Sequence, residues 1–411
     1  MTAHTLFYIF ISIIILEFLW DSFLEFLNAQ HYADPIPQEL EGVFNSKEYL
    51  KSQAYKKENY HFSLISSLFS LIATLGYFFY DGFAWLDQWV RSFTDNTSLQ
   101  SMLFIGILLL ANSLISLPFS YYHTFVIEEK FGFNKSTQRT FWLDLLKGLM
   151  LSLVLGGIIL WAVLWFYTKT GDSFWLYTWV LIGVFSIFIN LFYSTLIVPL
   201  FNKQTPLEDG KLKDAIEAFA KKTGFKLHNI FVIDGSKRST KANAYFAGFG
   251  PKKRIVLYDT LIKDLDTNEI VAVLAHEVGH YQKKHTLLNL ILSLANTGIT
   301  LYILSLFINS KLLAAALGVD TPSFHIGSIA FGILYSPLSE LTGVLMNFLS
   351  RKFEYQADAY AKTNYNASLL ITALKKLSKN ALSNLTPHPL YVFMHYSHPT
   401  LLQRIKKLQD Q

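Results

Sequence analysis

Seven long apolar segments constrain the fold of this chain more than any other feature of its sequence. An α-helix of about 20 apolar residues crosses the roughly 30 Å hydrocarbon core of a bilayer. Segments of this kind predict spans at residues 5–27, 62–86, 99–122, 141–167, 174–200, 287–308 and 324–349. The fold class that follows is a mainly α membrane protein with seven transmembrane helices.

Composition agrees with this class, because 52% of the 411 residues are hydrophobic and only 16% are charged. The absence of cysteine excludes disulfides, thiolate metal ligands, a cysteine nucleophile and lipidation of the chain itself. A metal ion would therefore need His, Asp or Glu ligands. The net charge of +5 comes from Lys and Arg residues that are spread over the loops, so we expect no nucleic-acid partner.

Two polar regions divide the chain into four predicted parts. These are transmembrane helices with their loops at 1–200, a cytoplasmic α+β domain at 201–286, two further transmembrane helices at 287–349 and a cytoplasmic C-terminal part at 350–411. Lys and Arg are more frequent in the loops after the first and third spans than after the second, fourth and sixth. By the positive-inside rule, the N-terminus lies outside and both polar regions face the cytoplasm.

The polar region 201–286 has the pattern of a small α+β unit. Apolar residues recur at helical spacing from Leu212 to Ala220. Asp266 and Glu269 form a capping-box pattern at the start of a later helix. Strands are predicted at 230–234, 243–249 and 254–258, with a turn at 250–251.

The sequence HEVGH begins at His276, in a segment predicted to be helical, just before the sixth span. His276 and His280 are four residues apart, so both imidazoles project from one face of the helix and can bind a single tetrahedral zinc ion. Glu277 lies beside such a metal without having to bind it. This placement suits a general base that takes a proton from a water activated by the metal and later protonates a leaving amine. Gly279 allows a neighbouring backbone to approach this helix closely.

This motif alone is one protein ligand short of a zinc site. The metzincin arrangement is excluded, because Lys283 and Thr286 stand where Gly and His would be needed. His285 is one position out of that register and better suits a helix-end or substrate-facing role. The sequence EYQAD supplies Glu354 and Asp358, four residues apart on a second predicted helix. We expect Glu354 to be the third ligand and Asp358 to accept the ring N–H of a ligating histidine.

The last two spans can bring these distant residues together. Only the short loop 309–323 joins them, so they form an antiparallel hairpin. His280 precedes the hairpin by seven residues and Glu354 follows it by five, which delivers both to the same membrane face. Glu340 is a rival ligand, but it lies about 21 Å from Glu354 along a continuous helix. Without HEVGH, the pair of Glu354 and Asp358 would indicate only a solvated acidic face.

Four motifs follow one another along the chain: NAYFAGFG, HEVGH, EYQAD and SHPTLLQR. Together they resemble the type I CAAX prenyl endopeptidases, integral-membrane zinc proteases of the gluzincin type, over essentially the whole chain. The resemblance implies that His276, His280 and Glu354 bind one Zn²⁺ per chain, that Glu277 is the catalytic base and that Asp358 is a second acidic catalytic group, described as a proton donor. It also implies a barrel of seven helices around a water-filled chamber, capped at its cytoplasmic end by the protease domain.

The resemblance gives a role to two further groups of residues. Asn243, Ala244 and Tyr245 lie in a segment that fits either an exposed edge strand, which binds substrate as an added β-strand, or an ordinary core strand. His398 and Arg404 match the family's His-Pro and following Arg, which lie near the site. There they would stabilise an oxyanion or hold the substrate backbone.

The sequence thus predicts a membrane-embedded zinc endopeptidase that cleaves near the C-terminus of peptide substrates. The resemblance implies that the substrate is a prenylated CAAX protein; a quality-control protease without a prenyl requirement is the alternative within this class. From another class, the rival is a seven-span transporter or receptor with a vestigial motif. The membrane would be the plasma membrane in a prokaryote or the endoplasmic reticulum in a eukaryote, and the oligomeric state stays open.

Overall fold

The computed structural model describes residues 1–225, 229–247 and 254–410 of the chain. Within these residues, the α-helices are α1 Ala3–Gln30, α2 Ser46–Phe79, α3 Gly82–Phe93, α4 Thr97–Tyr122, α5 Glu129–Phe131, α6 Gln138–Leu151, α7 Gly157–Thr170, α8 Phe174–Phe192, α9 Val198–Phe201, α10 Lys211–Lys222, α11 Asp259–Asp264, α12 Thr267–Gln282, α13 His285–Phe307, α14 Lys311–Ala316, α15 Phe324–Asn364, α16 Ala367–Asn380, α17 Pro389–His395 and α18 Leu401–Gln409. The strands are β1 Gln204–Pro206, β2 Asn229–Ile233, β3 Ala244–Ala247 and β4 Arg254–Tyr258.

Six helical runs among the described residues are long and apolar enough to cross a membrane. They are Ala3–Gln30, Ser46–Phe79, Thr97–Phe131, Gln138–Phe201, His285–Phe307 and Phe324–Asn364. A mainly helical, multi-pass membrane protein is therefore confirmed. The six runs fall on the predicted spans, with the fourth and fifth predicted spans joined in one run.

The run Gln138–Phe201 has 64 residues and would be about 96 Å long as a straight helix, three times the thickness of the hydrocarbon core. It is not straight, because a 3₁₀ turn separates α7 from α8 and Gly171 in this turn has a φ of 54°. The rings of Phe166 and Tyr177 stack across the turn with centroids 5.6 Å apart. The run therefore folds back on itself, although the count of seven crossings stays a prediction.

The predicted end of the second span at Leu86 is wrong. α2 ends at Phe79, Asp81 has a left-handed backbone with φ of 54°, and α3 begins directly after it. In α3 Leu86 and Val90 are buried on one face, whereas Trp89 is exposed on the other. An amphipathic helix of this kind has its apolar residues three to four apart, which a search for continuous apolar length does not detect.

Other local features were not predicted from the sequence. Three π-helical segments, His123–Glu128, Ser152–Gly156 and Tyr193–Ile197, interrupt the long apolar runs. The loop between the last two spans contains the short helix α14. The apolar sequence continues through Ser152–Gly156 and Tyr193–Ile197, so hydropathy gives no signal of the change in these two segments.

The four strands form one sheet in the order β1-β2-β4-β3. β2 and β4 are parallel, and β1 and β3 pair antiparallel at the two edges. The predicted strands 230–234 and 254–258 correspond to β2 and β4, with β2 starting one residue earlier. The predicted strand 243–249 is found as β3, but its last two residues and the turn at 250–251 lie outside the described residues. β1 was not predicted.

The helices of the polar region 201–286 pack on this sheet around α12. Ile216 and Phe219 of α10 are buried in one cluster with Leu257 of β4 and Leu274 of α12. The capping box at the start of α12 is present, and Glu269 accepts a hydrogen bond of 2.8 Å from the backbone N–H of Asp266.

α12 and α15 pack closely together at Gly279. A Cβ atom on Gly279 would lie 3.0 Å from both Cα and the carbonyl oxygen of Ala357. At the far end of the hairpin, a Cβ on Gly327 would lie 2.0 Å from the carbonyl oxygen of Ile308. The two ends of α15 are thus fixed by backbone contacts that leave no room for a side chain.

We expect Gly279→Ala to destabilise the protein, because the added methyl group meets backbone atoms that cannot move without separating α12 from α15. Overpacking of this kind costs about 1–3 kcal/mol, against the roughly 1 kcal/mol that Ala gains over Gly within a helix. Thermal unfolding in detergent would measure the effect. A Cβ on Gly106 in α4 meets nothing within 4 Å, so Gly106→Ala is the matched control and should not lower the melting temperature. Equal melting temperatures for the two variants would contradict the tight packing.

Candidate active site

Two imidazoles and a carboxylate meet where α12 and α15 pack together. One ligand atom from each of His276, His280 and Glu354 lies within 4.8 Å of the others. The two Nε2 atoms are 3.2 Å apart, and Glu354 oxygens lie 3.4 Å from Nε2 of His276 and 3.2 Å from Nε2 of His280. Two ligands at zinc distance and tetrahedral angle are separated by about 3.3 Å. The three groups therefore have the spacing of ligands to one metal ion.

His276 and Glu354 are buried, and their hydrogen bonding indicates whether a cation fits between these groups. The side chains of His276 and Glu354 are only 8% and 6% exposed. Glu354 Oε2 is buried and has no hydrogen bond within the described part of the chain. A buried carboxylate oxygen without a hydrogen bond is costly, and a bound cation would offset that cost. The residues present fit a metal ion.

Asp358 contacts the ring nitrogen of His276 that faces away from the candidate metal position. Asp358 is buried, and its Oδ1 lies 2.8 Å from Nδ1 of His276. Arg404 binds the same carboxylate through Nε and Nη2, at 2.9 and 2.6 Å. An Asp358 carboxylate accepts the Nδ1–H of His276, which leaves Nε2 bare and directed at the other ligands.

His280 has a different partner on its outer side. Its Nδ1 lies 3.0 Å from Nδ1 of His285, whose Nε2 lies 2.8 Å from Oε1 of Gln356. His285 is thus next to a ligand and not among the three facing groups, as its register suggested. Neither His285 nor Gln356 was assigned this contact from the sequence, because Gln356 is two residues from Glu354 and off its helical face.

Glu277 follows His276 on α12 and lines the cavity in front of the three groups. Burial raises the pKa of Glu277, and the neighbouring His276 and His280 oppose that rise. A carboxyl group that is desolvated beside a metal position is placed to accept and return a proton.

The cavity in front of these groups has a volume of about 850 Å³. Of the predicted site residues, all except Asp358 line it. Ile189, Asn190 and Tyr193, at the end of α8 and just beyond it, and Leu287 and Asn289 on α13 also line it. The cavity therefore extends from the candidate metal position to the ends of the membrane helices.

β3 lies at the edge of the sheet, beside this cavity. The N–H of Tyr258 donates to the carbonyl of Asn243 at 3.1 Å. Because hydrogen bonding alternates along an antiparallel pair, Ala244 turns its N–H and C=O to the free edge. The Asn243 side chain accepts that N–H at 2.8 Å. Among the described residues, β3 is therefore an edge strand of the sheet, which agrees with the first of the two predicted alternatives.

His398 and Arg404 each approach a different oxygen of Glu354. The His398 side chain is 63% exposed, with Nε2 3.4 Å from Glu354 Oε1. Arg404 is 12% exposed, and its Nη1 lies 3.7 Å from Glu354 Oε2. A capping box at Thr400 begins α18 and sets the position of Arg404 one turn later. Both residues line the cavity, but His398 is largely exposed there, whereas Arg404 is mostly buried against Glu354 and Asp358.

Two contacts that the sequence did not reveal hold the segment before His398. Asn347 of α15 donates to the carbonyl of Met394 at 2.8 Å, and Arg351 donates to the carbonyl of Val392 at 3.3 Å. Both carbonyls belong to the last turn of α17, and that of Val392 also accepts the backbone N–H of Tyr396 at 3.1 Å. α15 therefore supplies a metal-ligand candidate and also fixes the loop that carries His398.

Comparison with known proteins places the chain in a family. A family model described as CAAX prenyl protease N-terminal, five membrane helices, matches residues 25–203, and the model of peptidase family M48 matches residues 206–411. CAAX prenyl protease 1 of Saccharomyces cerevisiae is 38% identical, with 96% of this chain and 93% of that protein covered. The CAAX prenyl protease 1 homolog of Arabidopsis thaliana is 35% identical, with 98% and 97% covered.

A solved structure agrees with these relatives. The crystal structure of S. mikatae Ste24p superimposes with a TM-score of 0.94 and 37% sequence identity, covering 98% of this chain and 99% of that one. The resemblance predicted from the four motifs is confirmed, and a transporter or receptor with a vestigial motif is not favoured. This chain is a membrane metalloendopeptidase that belongs to peptidase family M48.

Proposed function

We propose that this chain is a zinc-dependent endopeptidase that cleaves prenylated CAAX-type proteins near their C-terminus. The observation that carries the proposal is the group of His276, His280 and Glu354, which faces the cavity together with Glu277. Two imidazoles and one carboxylate are the ligand set of a catalytic zinc site and leave a fourth position open.

A metal ion and the side chains of the protein would have separate roles in peptide hydrolysis. When bound, a zinc ion would lower the pKa of a water and polarise the carbonyl of the scissile peptide. Glu277 takes the proton of the attacking water and delivers it to the leaving amine. His398 borders the site from the open side of the cavity, where a ring N–H can donate to the developing oxyanion.

Asp358 and Arg404 act on His276 and not on the substrate. The charge of Arg404 stabilises an ionised Asp358 carboxylate. In that state Asp358 accepts the Nδ1–H of His276 but has no proton to give. This favours the expected role in orienting a ligand over the proton-donor role that the resemblance implied, and it gives Arg404 a positioning role in place of contact with the substrate backbone.

The substrate backbone would bind along β3. Ala244 directs its N–H and C=O to the free edge, so an extended peptide can add to the sheet beside the metal position. The Asn243 side chain holds that N–H until a substrate carbonyl replaces it.

The relatives' names and the shape of the cavity support a prenylated substrate. The relatives are named CAAX prenyl protease 1 or its homologues. Ile189, Tyr193 and Leu287 give the cavity an apolar and aromatic wall towards the membrane helices. Such a wall accepts a hydrocarbon chain while the peptide lies on β3.

The membrane arrangement is proposed as seven crossings around a water-filled chamber. Support comes from the fold-back at Gly171, which divides the longest run in two. A further cavity, between α2 and the helical run that begins with α4, is lined by Phe62, Phe119, His123 and seven residues with hydroxyl groups, Ser63, Ser66, Ser67, Ser70, Ser116, Ser120 and Thr124. So many polar residues on adjoining faces suit water better than lipid.

We further propose that the N-terminus lies outside and that the protease region and the C-terminal part lie in the cytoplasm, from the Lys and Arg distribution. The relatives come from yeasts, plants and animals, which favours the endoplasmic reticulum membrane over a bacterial plasma membrane.

We expect Glu277→Gln to abolish cleavage without loss of zinc, because the amide keeps the shape of the carboxylate but cannot accept the proton. Cleavage of a farnesylated CAAX peptide should fall by about 100-fold or more. Metal analysis should still find zinc in the purified variant, whereas a variant with both His276→Ala and His280→Ala should lose it. Retained cleavage in the first variant, or retained zinc in the second, would contradict the assignment.

Ala244→Pro should raise the KM for peptide substrates about 5-fold, since it removes an outward N–H worth about 1 kcal/mol. Proline is tolerated where the missing N–H faces the free edge, so folding should persist. Steady-state kinetics measure the effect, and Ala244→Ser, which keeps the N–H, is the control. An unchanged KM would argue against strand addition at β3.

Matched farnesylated and unmodified CAAX peptides test the substrate class. We expect efficient cleavage near the C-terminus of the farnesylated peptide only, because the apolar wall binds the lipid. Mass spectrometry of the products would locate the cuts. Equal cleavage of both peptides would favour a quality-control protease without a prenyl requirement.

A further inference from the structure

The two histidine ligands proposed above are held by different chemistry. His276 is held by a carboxylate, Asp358, that is itself paired with Arg404. Among the described residues, the partner of His280 Nδ1 is not a carboxylate but the imidazole of His285, at 3.0 Å. An imidazole can donate or accept, so His285 can orient His280 only if its own proton is fixed.

Gln356 supplies that constraint. Its Oε1 lies 2.8 Å from Nε2 of His285, and an amide oxygen only accepts hydrogen bonds. Nε2 of a neutral His285 must therefore carry the proton, which leaves Nδ1 of His285 as an acceptor. Nδ1 of His280 must then donate to it. Nε2 of His280 is left bare, and it is the atom that lies 3.2 Å from Nε2 of His276.

The surroundings of His285 keep the ring in this place. His285 is 1% exposed, and its ring stacks on Phe353 with centroids 4.4 Å apart and an interplanar angle of 13°. Lys284, between α12 and α13, has a left-handed backbone with φ of 59°. This tight turn brings His285 back against the ring of His280. The ring of His285 is therefore stacked, buried and hydrogen-bonded at both nitrogens. These contacts fix its orientation, which suits a residue that positions His280.

We propose that Gln356 and His285 form a neutral relay, Gln356–His285–His280, that fixes the tautomer and orientation of His280 for metal binding. Both are positioning residues, and neither touches the substrate in this role. Gln356 sits between Glu354 and Asp358 in sequence, so a single stretch of α15 supplies a ligand and the outer support of both histidines. The inference rests on the zinc site of the proposed function.

Zinc affinity of the full chain in detergent is the test, measured by competition with a chelator after the metal has been removed. Gln356→Leu removes the acceptor at similar size, and we expect zinc to bind about 10-fold to 100-fold more weakly. Gln356→Glu replaces the amide oxygen with a carboxylate oxygen, which also accepts a hydrogen bond at this place. Its zinc affinity should be within about 3-fold of that of the unmodified chain. His285→Leu should weaken binding as Gln356→Leu does, and His285→Gln, whose amide oxygen can accept from His280, should restore part of it.

A second readout separates positioning from general stability. The melting temperature of the metal-free chain should be similar in the Gln356→Leu and Gln356→Glu variants, whereas the rise on adding zinc should be smaller in Gln356→Leu. Cobalt in place of zinc should show an altered visible spectrum in Gln356→Leu but not in Gln356→Glu.

Two results would overturn the relay and leave the zinc site standing. One is unchanged zinc affinity in Gln356→Leu while the unmodified chain binds zinc. The other is a changed KM with unchanged zinc affinity in His285→Leu, which would give His285 a substrate-facing role. If the unmodified chain bound no zinc, the proposed function and the relay would both be wrong.

Discussion

The contact of α12 with α15 at Gly279 is the constraint on which the rest of the site depends. The histidines belong to one helix and Glu354 to the other, so their separation is set by how closely the two backbones pack. With Ala357 backbone atoms 3.0 Å from where a Cβ would lie, the glycine is the residue that permits that distance. The α13–α15 hairpin, closed at Gly327, then fixes the height of Glu354 relative to α12. The membrane helices thus act as the scaffold of a hydrolytic centre.

Much of this arrangement could be predicted from the sequence, because it follows strong local rules. A spacing of four residues placed His276 and His280 on one helix face, and Glu354 and Asp358 on another. The number of residues between the hairpin and each acidic residue favoured Glu354 over Glu340 as the third ligand. β2, β4 and the capping box at Asp266 also follow from short-range patterns. The six apolar runs needed only length and hydropathy.

The missed features depend on information that local patterns do not contain. The end of α2 before Leu86 is set by a turn at Asp81 and by burial of an amphipathic face, not by a fall in hydropathy. The pairing of Gln356 with His285 joins residues on different helices and gives no periodic signal. The difference in exposure between His398 and Arg404 depends on how α18 packs beside Glu354, and a sequence motif does not contain that information.

The ion pair of Asp358 with Arg404 has a consequence for biosynthesis. Arg404 follows the six apolar runs of the described residues in the chain. The residue whose charge keeps Asp358 ionised is therefore translated after these runs and after the candidate ligands His276, His280 and Glu354. Until α18 docks, the Asp358 carboxylate lacks this counter-ion and His276 lacks a firmly oriented partner. The centre is therefore completed later in synthesis than the helices that carry the candidate ligands.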